Sequence, residues 1–199
     1  MQKALAAWIL LAMAPASSQT PTEVLQNALR QVVAVLEEEA GARALDRRRA
    51  ELRRIADRLF DVHDMARRSL GRHWSERTRE EQDEFVRAFR ELVEGAYVAR
   101  IEQVAGERVI WGAESIDGEV ATVRSRMASR QGEVSLHYRM RLVGGRWAVF
   151  DVIVDGISLV SSYRSQFARI IQTASYEELL RRMRRGRDLA ATIQPTGAR

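Results

Sequence analysis

The sequence predicts an α+β domain: helices first, then a four-stranded antiparallel meander, then helices again. Two changes of period carry that prediction. Up to Gly106 apolar residues recur every three or four positions, from there to about residue 154 they alternate, and past Gly156 the helical spacing returns. The turns Asp117-Gly118, Gln131-Gly132 and Gly144-Gly145 leave only hairpin-length links, so the strands form a meander.

The first helix starts at Thr20-Pro21-Thr22-Glu23, where a capping Thr, a Pro at the first helical position and a Glu three residues past the cap agree. Leu25, Ala28, Leu29, Val32 and Leu36 follow on one face, and Gly41 ends the run. A second helix, "ARALDRRRAELRRIADRLF", has a narrower stripe of Leu45, Leu52, Ile55 and Leu59 with Arg and Glu opposite. Asp61 caps the short helix "VHDMARRSL", which Gly71 closes. Thr78-Arg79-Glu80-Glu81 is another capping box and opens the longest helix, to about Ala105, whose inner side carries Phe85, Phe89, Leu92, Tyr97 and Ile101.

Strands are expected near 107–113, 119–128, 133–143 and 146–154. The third alternates cleanly, with Val134, Leu136, Tyr138, Met140 and Leu142 inward and Ser135, His137, Arg139 and Arg141 outward. The fourth is apolar on both sides: Trp147, Val149 and Ile153 on one, Ala148, Phe150, Val152 and Val154 on the other. A helix after Gly156 follows, with Val160, Tyr163, Phe167 and Ile170 in a stripe. Ser175-Tyr176-Glu177-Glu178 caps the last helix, and Gly186 stops it. Helices cover one face of the meander and bring more apolar surface than four short strands need. Either the sheet curls around them or the space between is a cavity.

The chain of 199 residues, 46% of them hydrophobic, is large enough for one core. Its beginning reads as a secretory signal peptide over residues 1–16: Lys3, the apolar run "ALAAWILLAMA", then the small residues Ala14 and Ala16 of a cleavage site. Eleven apolar residues are too few to span a bilayer. A single domain is expected over 17–190, with a loose tail over 191–199. There is no cysteine, hence no disulfide or thiol nucleophile, and the exported chain suits a periplasm. The net charge is +5, but its arginines are interspersed with acids, which together with export argues against nucleic acid as a partner.

No motif for catalysis or metal binding stands out. Of the three histidines, His63 shares a face with Arg67, a poor neighbour for a metal, and His137 faces outward. No catalytic residue is assigned, and no metal or cofactor is expected. Asp151 and Asp155 lie on the fourth strand. Asp155 suits a turn before Gly156, and Asp151 has Arg164 as a candidate partner.

The segment "DVIVDGISLVSSYRSQF", with Asp151, Asp155, Gly156, Ser158, Tyr163, Arg164 and Phe167, resembles the MlaC family of periplasmic phospholipid-binding proteins. "FDVHDMARRSLGRHW" and "REEQDEFVRAFRELVEGAYVARI" match further segments of that family, in the same order. The resemblance implies a curved sheet wrapped by helices, partly similar to nuclear-transport-factor-like domains, around an apolar cavity for acyl chains. It implies a carrier with no reaction, moving phospholipid between an outer-membrane lipoprotein–porin complex and the substrate-binding ring of an inner-membrane ABC transporter.

On this reading the wall is made by Phe85, Phe89, Leu92 and Tyr97 of the long helix. The sheet adds Val123, Leu136, Tyr138, Met140, Trp147 and Val149, and the helix after it Val160, Tyr163 and Phe167. The apolar excess of the fourth strand would then meet lipid tails, and Arg164, Asp151 and Asp155 are the polar candidates near the head group or in a structural pair. Two other readings are compatible with the residues. One is a nuclear-transport-factor-like enzyme or binding domain for another small apolar ligand, with Asp151 or His63 as base. The other is docking to an acidic surface through "RRMRRGR", with Arg181 and Arg184.

Overall fold

A computed structural model describes residues 19–37, 42–103, 108–129 and 132–186. The expected signal peptide and the tail lie outside the described residues. Helices α1 (Pro21–Glu37), α2 (Ala42–Leu59), α3 (Val62–Leu70) and α4 (Arg79–Gln103) come first. Strands β1 (Arg108–Asp117), β2 (Val120–Ser129), β3 (Gly132–Val143) and β4 (Arg146–Val154) follow. A two-residue β5 (Ile157–Ser158), α5 (Leu159–Thr173) and α6 (Tyr176–Arg185) end the series. All strand pairs are antiparallel and sequential, so the sheet is the expected meander with one more short strand. A 3-10 turn at Gly71–Trp74, not foreseen, links α3 to the approach to α4.

The helix starts are made by the residues that announced them. Thr20 and Glu23 exchange backbone-to-side-chain hydrogen bonds of 2.8 and 3.2 Å, as do Thr78 and Glu81 at 2.8 and 3.3 Å. Asp61 accepts from the Asp64 amide at 3.0 Å, and Gly71 closes α3 at φ +60°. Ser175 accepts from the Glu178 amide at 3.2 Å, but the Glu178 carboxylate turns forward to Arg182 at 2.6 Å, so only half of that box forms.

The core lies between the inner face of the sheet and helices α3 to α6. Its centre is aromatic. Tyr163 meets Phe89 edge-on at 5.5 Å and stacks with Phe167 at 5.4 Å, while Phe85 stands edge-on to Phe167 at 5.7 Å. Such pairs add about 0.5–1.5 kcal/mol each beyond the area they bury. A smaller cluster of Ala28, Val35, Leu52 and Ile55 joins α1 to α2.

Strand β4 departs from simple alternation. Arg139 pairs with Asp151, but the next residue, Met140, pairs with Val149, so Phe150 is an extra, bulged residue. A one-residue insertion reverses which side chains face the core. Val152 and Val154, opposite Tyr138 and Leu136, therefore join Trp147 and Val149 on the inner face, and Ile153 moves outward opposite His137.

The outer side of β4 is covered by protein, which corrects the expectation that lipid tails do so. The Phe150 ring, 2% exposed, lies under the Arg68 guanidinium at 4.4 Å and the Arg139 guanidinium at 5.0 Å. The far edge of β4 is closed by the link between α2 and α3. Phe60 forms a parallel bridge with Val149, and the Asp61 amide donates to the Val149 carbonyl at 2.8 Å. Both-faced burial of β4 is thus met by a bulge and a layer of arginine.

Candidate functional site

The inner face of the sheet divides into two halves of different packing. At the end nearest the turns Asp117-Gly118 and Gly144-Gly145, Ala121, Val123, Met140 and Val149 are buried to 1% or less. At the opposite end Trp111, Met127, Val134, Leu136 and Tyr138 are only half-buried. Register places them side by side: Trp111 faces Ser125, which faces Leu136, which faces Val154; Met127 faces Val134. The Trp111 and Tyr138 rings lie 6.3 Å apart. Together they make an apolar strip with free surface, floored by strands whose other face is polar.

One polar pair sits in this strip. Ser125, 2% exposed, donates to the Leu136 carbonyl at 3.3 Å and lies beside the Tyr138 phenol. Burial pushes that phenol above the usual tyrosine range, and the Ser125 contact only partly offsets it. The pair is neutral at any ordinary pH, so it adds no charge to an otherwise apolar surface.

The thirteen wall residues expected from the sequence fall into three groups. Phe85, Phe89, Val123, Met140, Val149 and Phe167 have no exposed surface, and Leu92, Trp147, Val160 and Tyr163 have 6% or less. These ten are buried in the main core. Leu136 and Tyr138 are half-buried within the strip itself. Tyr97 belongs to α4, but its side chain lies outside the described residues. Trp111, Met127 and Val134 were not singled out as wall residues. Their signal was alternation opposite Leu136 and Tyr138, legible once the β1–β2–β3 register is known.

The polar candidates have structural partners. Asp151, 3% exposed, accepts from the Ser158 hydroxyl at 2.7 Å and from the Val160 amide at 3.2 Å, tying β4 to the first turn of α5. Its oxygens are directed to α5 and not to Arg164, contrary to expectation. The Arg164 stem crosses Gly71 instead: a Cβ added there would stand 3.2 Å from its Cδ. Asp155 holds the turn at φ +47° and accepts from the Ser135 amide at 2.9 Å. His63 lies edge-on to Trp74 at 5.4 Å. Neither Asp151 nor His63 is brought to the apolar strip: the first is held at the start of α5 and the second packs on Trp74. Among the described residues no cluster of acids and histidines is placed to hold a metal, and no helix is long and apolar enough to cross a membrane.

The strongest electrostatic feature lies at the rim of β4. Asp64, 3% exposed, accepts from Arg67 at 3.0 Å and Arg68 at 2.6 Å, with Arg141 at 3.3 Å. Burial alone would raise its pKa, but the hydrogen bonds and charges of Arg68 and Arg67 outweigh it and hold the carboxyl below the usual aspartate value. A depressed folded-state pKa means that the unfolded chain takes up the proton first as pH falls. The stabilisation is complete above the unfolded value of about 3.9 and is lost as pH drops through the folded one. In urea titrations from neutral pH into this acid range, Asp64→Asn is expected to be less stable than wild type near neutrality, and the gap should narrow as the pH falls. A constant gap at every pH would sink this assignment.

Known proteins resemble this chain in sequence and in fold. A family model described as MlaC protein matches residues 26–185. Over 82 residues, 41% of this chain, the sequence is 34% identical to the toluene tolerance protein ttg2D of Pseudomonas putida. That match spans 33% of the relative's own length. A solved structure, the phospholipid-binding protein from Ralstonia solanacearum in complex with a phospholipid, superposes with a TM-score of 0.70. The superposition covers 84% of this chain and 97% of the other at 22% identity, a likeness of fold.

Proposed function

The chain belongs to the MlaC family, and on that premise we propose that it is a periplasmic phospholipid carrier that performs no reaction. The observation that carries this reading is the half-buried apolar strip of Trp111, Met127, Val134, Leu136 and Tyr138, in a fold shared with a phospholipid-bound protein. Acyl chains in water are costly. At about 0.8 kcal/mol per methylene, two chains of roughly fifteen methylenes each amount to about 25 kcal/mol. A carrier must replace that contact with apolar wall, and the strip is a part of the inner face whose side chains keep free surface. On this reading Leu136 and Tyr138 line the ligand directly, and the ten packed residues form the core that holds the sheet and helices in place. The head group stays at the mouth, in contact with water.

The same premise supports export by residues 1–16 and a shuttle between two membranes. Lipid would be exchanged between an outer-membrane lipoprotein–porin complex and the substrate-binding ring of an inner-membrane ABC transporter. Because the ligand is only held and released, no cofactor or metal is needed.

Native mass spectrometry of the full chain, expressed with its N-terminal segment and recovered from the periplasm, tests the reading. The expected spectrum contains protein carrying one phospholipid mass, released on denaturation. Folded protein recovered without any lipid adduct, and unable to take up phospholipid from mixed micelles, would overturn it.

A further inference from the structure

The outer face of the sheet carries a feature that lipid carriage does not use. By register, Arg124 and Arg126 of β2, Arg139 and Arg141 of β3 and Arg108 of β1 share the outer face of the sheet, where Arg141 reaches Asp64 of α3 at 3.3 Å. Five arginines share this face with the carboxylates of Glu133 and Asp117. Exposed aliphatic side chains stand among them: Ile110, 39% exposed, directly opposite Arg126, and Val120, 42% exposed, directly opposite Arg141.

The two basic regions of the molecule differ in how far their charge is already satisfied. In α6, Arg181 and Arg182 share the carboxylate of Glu178, and Arg184 pairs with Glu84. On the sheet, Arg126 has a half-exposed partner in Glu133 at 3.2 Å, and Arg141 leans towards Asp64 at 3.3 Å. Arg139 stacks on Phe150 and stands opposite Asp151 in register, whose carboxylate is taken up by Ser158 and Val160. Arg124 is exposed and has no carboxylate within 4 Å among the described residues.

We infer that the outer face of β1–β3 is a docking surface for a bilayer that carries anionic phospholipid. Guanidinium groups bind phosphate in a bidentate manner, and the neighbouring Ile110 and Val120 are placed to enter the layer just beneath. The strands set these groups on an open grid with a spacing of about 4.8 Å, without a pocket. Such a grid matches a laterally uniform array of head groups better than the shaped surface of an acidic protein. This deepens the carrier reading by saying which face of the carrier meets a membrane. The apolar strip and the arginines lie on opposite faces of the same strands, so lipid holding and docking can be separated.

Co-sedimentation of the full chain with vesicles at low salt tests this. Vesicles of one part phosphatidylglycerol to three parts phosphatidylcholine are compared with phosphatidylcholine alone. Wild type is expected to sediment with the anionic vesicles and to be released by salt. A basic residue near an anionic surface is worth about fivefold in partitioning, so Arg124→Gln/Arg126→Gln should lower binding about twentyfold or more. Arg181→Gln/Arg184→Gln should change it little. The co-purified phospholipid of the sheet variant should equal that of wild type, which separates failure of docking from failure of the carrier reading. If the double variant does not fold, Arg124→Gln alone should lower binding about fivefold. Equal sedimentation with both vesicle types, or unchanged binding of the sheet variants, overturns the proposal. Loss of affinity confined to a protein partner would reassign the surface and overturn it as well.

Discussion

A Leu136→Arg variant is expected to emerge from the periplasm with co-purified phospholipid reduced at least about tenfold, and with a melting temperature close to wild type. Leu136 is half-buried at the centre of the strip, between Ser125 and Val154 in register. Because the side chain keeps free surface, the long stem of an arginine can lie along the wall and carry its charge to water. Folding is therefore only mildly affected. An acyl chain in the same place would have to desolvate the guanidinium without offering it a partner, which costs several kcal/mol. A loss of about 1.4 kcal/mol already gives the tenfold drop. Full lipid recovery from the folded variant would show that acyl chains do not pass over β3 at this point.

Val149→Glu should have the opposite outcome, with folding lost before lipid binding can be measured. Val149 has no exposed surface; it pairs with Met140, bridges to Phe60, and sits where α2–α3 closes the edge of β4. A carboxylate there has no cation beside it and no route to water. The penalty of several kcal/mol for an unpaired buried charge adds to about 1.5–3 kcal/mol of lost apolar burial. The sum is comparable to the whole stability of an ordinary domain, about 5–15 kcal/mol. No cooperative melt is expected in circular dichroism at physiological temperature. A Val149→Glu protein that melts like wild type but lacks lipid would place Val149 on an open cavity and not in packed core. Run together, the two substitutions separate wall from backing on neighbouring strands.

The local parts of this architecture were legible because their partners are close in sequence. Thr20 and Glu23, and Thr78 and Glu81, satisfy one another across three residues, and Asp61 accepts from the Asp64 amide at the same spacing, so reading the pair reads the helix start. The hairpin turns likewise set a sequential meander. Reading failed where partners are distant. Asp151 had a plausible cation in Arg164, yet its bonds go to Ser158 and Val160, because a helix amide end lies nearer than any guanidinium. The apolar outer side of β4 looked like surface waiting for a ligand, but Arg68, from a helix more than eighty positions earlier, lies over Phe150.

By itself the sequence determined the kinds and order of elements, the alternation of β3 and the family resemblance, all of which depend on spacing within one segment. Only the tertiary structure decided which apolar residues are packed and which keep free surface. The bulge at Phe150 moves Val152 and Val154 to the inner face, and no pattern within β4 marks it, since both of its faces are apolar. Burial is a property of what approaches from elsewhere in the chain, so two residues as alike in sequence context as Leu136 and Met140 end as strip and core.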